Sequence, residues 1–143
     1  MKIKILLSTT ALTLLAAAAS AGLKQPAPVI VDFDLMFAQG DQVTARIAKD
    51  DVSFIGCGVR VFDDGFAFGF CQASDSEENQ IVCLTENPYL LQSIGGISDL
   101  AFITFSFVQS GVDMNGDPEY DCTRVGSSTQ SFYIPNFTTK GKN

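Results

Sequence analysis

The stretch Ser53–Cys83 limits what this chain can fold into more than any other. It reads SFIGCGVRVFDDGFAFGFCQASDSEENQIVC, and it holds three of the four cysteines, two polar turn signals and a run of alternating phenylalanines. Asp63-Asp64-Gly65 suits a three-residue hairpin loop with glycine in the left-handed region. Centring the hairpin on Asp64 sets Phe62 against Phe66, Arg60 against Phe68 and Gly58 against Phe70. On the other face Val61 meets Ala67, Val59 meets Gly69, Cys57 meets Cys71 and Ile55 meets Ala73. A second hairpin turns over Ser74–Asn79 into a strand over Gln80–Thr85, and centred on Glu77 it sets Cys71 against Cys83. Cys71 has one sulfur, so two pairings compete: Cys57–Cys71 with Cys83–Cys122, which we prefer, and Cys71–Cys83 with Cys57–Cys122.

Disulfides imply an oxidising compartment, and the N-terminus agrees. Lys2 and Lys4 precede an apolar stretch, Ile5–Ala18, and Ala19-Ser20-Ala21 forms a small-x-small cleavage site before Gly22. Met1–Ala21 therefore reads as a cleaved secretory signal peptide of bacterial style, too short for a membrane span. It points to a periplasmic or secreted protein. The leader would take two of the nine basic residues and none of the sixteen acidic ones. The remaining acidic excess repels nucleic acid and anionic membrane surfaces, so neither is an expected partner.

Beyond a short linker at residues 22–28, the rest reads as one β domain over residues 29–137 with a solvated tail at 138–143. Val29–Phe37 alternates as one half-buried strand, Gln39-Gly40-Asp41 turns the chain, and Val43–Ala48 alternates as another strand. Asn87 and Pro88 mark the start of one short helix near residues 88–93, because asparagine caps well and proline suits the first helical position. Ser98–Gln109 reads as a central strand, Ser110–Tyr120 as a polar loop, and Asp121–Val125 and Gln130–Ile134 as short closing strands. The sum is an all-β fold, an antiparallel sandwich or barrel of about seven or eight short strands with two disulfides.

The chemistry is sparse. There is no histidine, which excludes Ser-His-Asp and Cys-His nucleophile systems. Lys24, Lys49, Lys140 and Lys142 fall in the linker, a turn and the tail, so a Ser-Lys pair has no core lysine. The carboxylate pairs Asp63/Asp64 and Glu77/Glu78 sit at hairpin tips, where solvated charge is ordinary. No catalytic residue emerges, and we expect no enzyme. One metal candidate does emerge: Asp113, Asn115, Asp117 and Asp121 stand at relative positions 1, 3, 5 and 9, as at the start of a calcium loop. The pattern then departs, with Arg124 where a bidentate acid is needed and Gly116 displaced from the turn position. No other cofactor is expected. The twelve phenylalanines, without a tryptophan, read as core packing. Asn136-Phe137-Thr138 is formally a glycosylation sequon.

The cysteine contexts are Ile55-Gly56-Cys57, Cys71-Gln72-Ala73, Cys83-Leu84-Thr85 and Asp121-Cys122-Thr123-Arg124-Val125, with Phe102-x-x-Phe105 between the last two and a Ser-x-x-x-Pro ending at Pro135. Over roughly Ser53–Pro135 this resembles a group of small exported bacterial proteins of unknown function, departing from it in the loop Ser110–Tyr120. The resemblance implies a four-cysteine β fold and no activity.

The function expected from these observations is a non-catalytic exported module that binds a protein or ligand, or serves structurally, in the envelope or outside the cell. A secreted enzyme inhibitor or effector is the alternative. Calcium-assisted ligand or carbohydrate binding through residues 113–121 is a second. The Ser53–Cys83 stretch reads as scaffold, with Ser110–Tyr120 the first choice for contacts. Neither the ligand nor the oligomeric state is written in the sequence.

Overall fold

The computed structural model describes residues 22–134; the expected leader, the sequon and the tail lie outside them. The elements are β1 (Ile30–Asp32), β2 (Phe37–Asp41), α1 (Gln42–Arg46), β3 (Phe54–Val61), β4 (Ala67–Ser74), β5 (Gln80–Thr85), α2 (Pro88–Gly95), β6 (Phe102–Val112) and β7 (Pro118–Ser128), followed by a 3-10 turn at Ser131–Tyr133. The seven strands among the described residues share one sheet, in the order β1-β2-β6-β7-β5-β4-β3. The fold is all-β with two disulfides, as expected. Neighbours pair antiparallel except β5 and β7, which meet in parallel at Leu84 and Asp121.

The two hairpins of the central stretch have the registers read from the sequence. Every pair from Phe54–Ser74 to Val61–Ala67 is as expected, and Cys71 also faces Cys83. Gly65 takes the left-handed conformation the three-residue loop requires, at φ 89°. Asn87 caps α2, its Oδ1 accepting from Tyr89 N at 2.9 Å, with Pro88 as the first helical residue.

Four expectations are corrected. Val29–Phe37 is not one strand: Asp32 Oδ1 accepts from Leu35 N at 2.7 Å and Met36 stands at φ 55°, so the chain turns back at once into β2. Val43–Ala48 is not a strand, because Gln42–Arg46 is helical. The cause is Asp41, fully buried, whose carboxylate accepts from Thr44 N at 2.6 Å and Thr44 Oγ1 at 2.5 Å, a helix N-cap. Its Oδ2, which takes the Thr44 hydroxyl, also accepts from Ala27 N at 2.7 Å, binding the expected linker to the fold. Ser110–Tyr120 is not a loop but mostly strand, since β6 and β7 run on to a turn at Asp113–Asp117. Finally, the closing strand expected at Asp121–Val125 runs on in β7 to Ser128, with Gly126, Ser127 and Ser128 pairing with Thr104, Ile103 and Phe102, and Gln130–Ile134 holds the 3-10 turn rather than a strand.

The sheet is open, since its edge strands β1 and β3 do not pair. It nevertheless curls, for β1 touches β4 and β2 touches β3 although they lie at opposite ends of the strand order. Asp75, just past β4, reaches across that gap, its Oδ2 lying 3.4 Å from Val31 N. Inside the curl sit Ala38, Ile103, Phe105, Phe107, Ile81, Ala73 and the disulfide sulfurs. Helix α2 fills the inner side against β3, β4 and β7. A Cβ added to Gly69 on β4 would stand 2.7 Å from Ile94 Cδ1 and 2.9 Å from Leu91 Cδ2. The bond from Ser93 Oγ to Val125 O, 3.3 Å, ties the helix to β7.

Candidate functional site: an aromatic outer face

Strand β4 carries the arrangement of interest. Ala67, Gly69, Cys71 and Ala73 point inward, and the slot they leave receives Ile94 and Leu91 of α2. Alternation then forces Phe66, Phe68 and Phe70 outward. The usual pattern, large apolar inside and small or polar outside, is reversed here. The expectation that these phenylalanines form core is therefore wrong for this strand. Phe62 and Phe66 are 49% and 46% exposed, and Leu84 and Val82 on the next strand are 50% and 46% exposed.

The rings organise one another. Phe62 and Phe66 stack with centroids 5.8 Å apart, and Phe68 lies 6.1 Å from Phe62 and 6.2 Å from Phe66. Such a cluster lowers the water contact of each ring without burying it. Further along, Phe70 lies over Gly58, where a Cβ would come within 2.8 Å of its Cζ, and the Arg60 guanidinium sits 4.9 Å above the ring. Beside the cluster runs a groove of about 550 Å3 lined by Phe66, Phe68, Leu84, Thr85, Glu86, Asp121 and Cys122. Apolar rings and two exposed carboxylates thus border one concavity across β4, β5 and β7. An apolar concavity rimmed by carboxylates is suited to burying apolar surface beside a charge-selective edge.

Of the sequence-derived site residues, Asp121 and Cys122 line this groove and the others do not. The cysteines form Cys57–Cys71, joining β3 to β4, and Cys83–Cys122, joining β5 to β7. This is the preferred pairing. Register alone did not choose it, because Cys71 faces both neighbours. The parallel approach of β7 beside β5 decides it by delivering Cys122 to Cys83.

The calcium candidates Asp113, Asn115 and Asp117 share the β6–β7 turn, while Asp121 lies along β7 opposite Val108. Asp113 is occupied by its own turn. Its Oδ1 accepts from Asn115 N at 2.7 Å and Asp117 N at 3.0 Å, and its Oδ2 from Asn115 Nδ2 at 3.3 Å. Those bonds, from Asp117 first and then Asn115, hold its carboxyl below the ordinary value. Among the described residues no three or more histidine, cysteine, aspartate or glutamate side chains are grouped to hold a metal ion.

Comparison with protein-family models, with curated proteins and with solved structures yields no match. Among the described residues no helix is long and apolar enough to cross a membrane.

Proposed function

We propose that this chain is a non-catalytic exported module, periplasmic or secreted, that acts by binding, and that the outer face of β3, β4 and β5 is its contact surface. The observation that carries this reading is the reversed patterning of β4, whose outward rings Phe66 and Phe68 stack with exposed Phe62 and line a groove with exposed Leu84. A contiguous apolar face costs solubility, and its usual use is contact with a partner. Two disulfides and no free cysteine fit an oxidising compartment. The leader-like Met1–Ala21 and the resemblance of the cysteine contexts to exported proteins agree with that placement. The β6–β7 turn, first choice for contacts on sequence, ranks second. Its aspartate is spent on its own backbone, though Met114 at its tip is fully exposed.

The test is a photo-crosslinking phenylalanine analogue placed at Phe66 and, as a control, at Leu35, in protein exported by a bacterial host. A discrete adduct at Phe66 alone, lost when Phe62→Ser and Phe68→Ser are added, is the expected result. Equal or absent labelling at the two positions overturns the assignment of this face.

A further inference from the structure

The other unusual feature of β3 is its free edge. Phe62 N donates to Phe66 O at 2.8 Å, which makes that pair a bonded one. The antiparallel ladder alternates, so Arg60, Gly58, Gly56 and Phe54 also turn their main-chain groups towards β4. Ile55, Cys57, Val59 and Val61 must then turn theirs away from the sheet. Helix α1 packs near the start of the strand, β2 approaches it across the gap and α2 lies against its inner face. Along Cys57–Val61 none of the outward N–H groups has a hydrogen-bond partner among the described residues, and the one carbonyl that has a partner, Val59 O, is held by the neighbouring Arg60 Nη1 at 3.2 Å.

Natural edge strands are blunted by proline, lysine, bulges or a covering element. Here Cys57–Val61 has no proline, lysine or bulge, its Arg60 is folded back over Phe70, and Cys57–Cys71 holds the strand extended. The side chains beside the edge are unfinished too. Val59 is half-buried and Val61 is 72% exposed on the inward side, while a Cβ at Gly56 on the outer side would meet nothing within 4 Å.

Charge chooses the occupant. Exposed Asp63 and Asp64 follow the strand, and Asp50 and Asp51 precede it beside the exposed cations Arg46 and Lys49. A second copy pairing there would set a chain of formal net charge -7 against itself, and like charges oppose that. We propose that β3 accepts, along Cys57–Val61, an extended segment of another protein with lysine or arginine at its ends and valine- or isoleucine-type side chains facing Val59 and Val61, added as an eighth strand. This rests on the reading of the molecule as a binding module but uses the strand's edge rather than the aromatic face.

The probe is a synthetic peptide, Lys-Val-Thr-Val-Thr-Val-Lys, compared with the same peptide bearing glutamates at its ends and with one N-methylated at alternate residues. The readout is amide hydrogen exchange of the intact, oxidised protein. With the basic peptide at about ten times its Kd, exchange of the Cys57, Val59 and Val61 amides is expected to slow about tenfold, with no such change for the other two peptides. Val59→Pro, which removes only an outward N–H, is expected to keep the fold and abolish the effect. Unchanged exchange with millimolar basic peptide overturns the proposal, as does equal protection by the N-methylated peptide. Concentration-dependent protection without peptide overturns it in favour of self-pairing. The two readings fail separately: edge protection by the basic peptide with no discrete Phe66 adduct sinks the face alone, and a discrete Phe66 adduct with unchanged edge exchange sinks the edge alone.

Discussion

Strands β4 and β6 repeat the same motif with opposite outcomes. Each places phenylalanine at alternate positions, Phe66, Phe68 and Phe70 entering and along β4, and Phe105 and Phe107 along β6. On β6 the rings go inside, with Phe105 fully buried and Phe107 nearly so, and Thr104 and Ser106 face out. On β4 the rings go outside, and alanine, glycine and cysteine face in. Alternation determines which residues share a face, but not which face meets the core. What decides is the volume already present inside. Over β4 that volume is taken by Ile94 and Leu91 of α2 and by the Cys57–Cys71 bridge, so only small residues fit. Over β6 nothing comparable intervenes, and Phe105 fills the space.

The comparison can be broken most sharply at Phe105. Phe105→Ala is expected to lower unfolding free energy by about 3–5 kcal/mol in denaturant titrations of the oxidised protein. Next come the bridges. Cys83 and Cys122 are separated by 39 residues and Cys57 and Cys71 by 14. Replacing the first pair by alanine is expected to cost about 4 kcal/mol and the second about 3 kcal/mol, since the longer loop is more constrained when unfolded. A reversed order would mean that the shorter bridge does more than close a loop.

Gly69→Val tests the slot itself. Its new methyls would collide with Ile94 and Leu91, and a loss of about 1–3 kcal/mol is expected. A neutral result would show that α2 does not set the orientation of β4.

A smaller effect is expected from acid. Burial raises the Asp75 carboxyl, but hydrogen bonds from the Asn79 side chain and backbone, Glu77 N and Val31 N outweigh it and hold it below the ordinary 3.8. A folded value below the unfolded one means that the contribution is whole above about pH 4 and is lost as pH falls through the folded value. Asp75→Asn should therefore flatten the fall in melting temperature below about pH 4 while leaving the profile at higher pH parallel to wild type.

Much of the fold was legible where local chemistry and pairing agreed. Asp63-Asp64-Gly65 fixed one hairpin and with it the register that sets Cys57 against Cys71. Asn87 and Pro88 fixed the start of α2. The N-terminal third was misread because short polar residues have two uses. Asp32 read as the outer side of a strand, yet it closes a turn. Asp41 read as part of a turn, yet it caps α1 from inside the core. Neither use changes the alternation of its apolar neighbours, so the periodicity of Val29–Phe37 and Val43–Ala48 carried no warning. Ser110–Tyr120 was masked in the same way, because the polarity of its tip hid the strands continuing on either side. The candidate site was half legible. The split between a phenylalanine row and a row of small residues was plain in β4, but its orientation depends on α2, brought there by tertiary packing.

The central claim is that the phenylalanines of β4 are surface for contact rather than core. The direct measurement is the unfolding free energy of Phe66→Ser/Phe68→Ser beside that of Phe105→Ala, under identical oxidising conditions. The double variant should stay within about 1 kcal/mol of wild type, as exposed substitutions do. A loss matching that of Phe105→Ala would place those rings inside and contradict the orientation of β4.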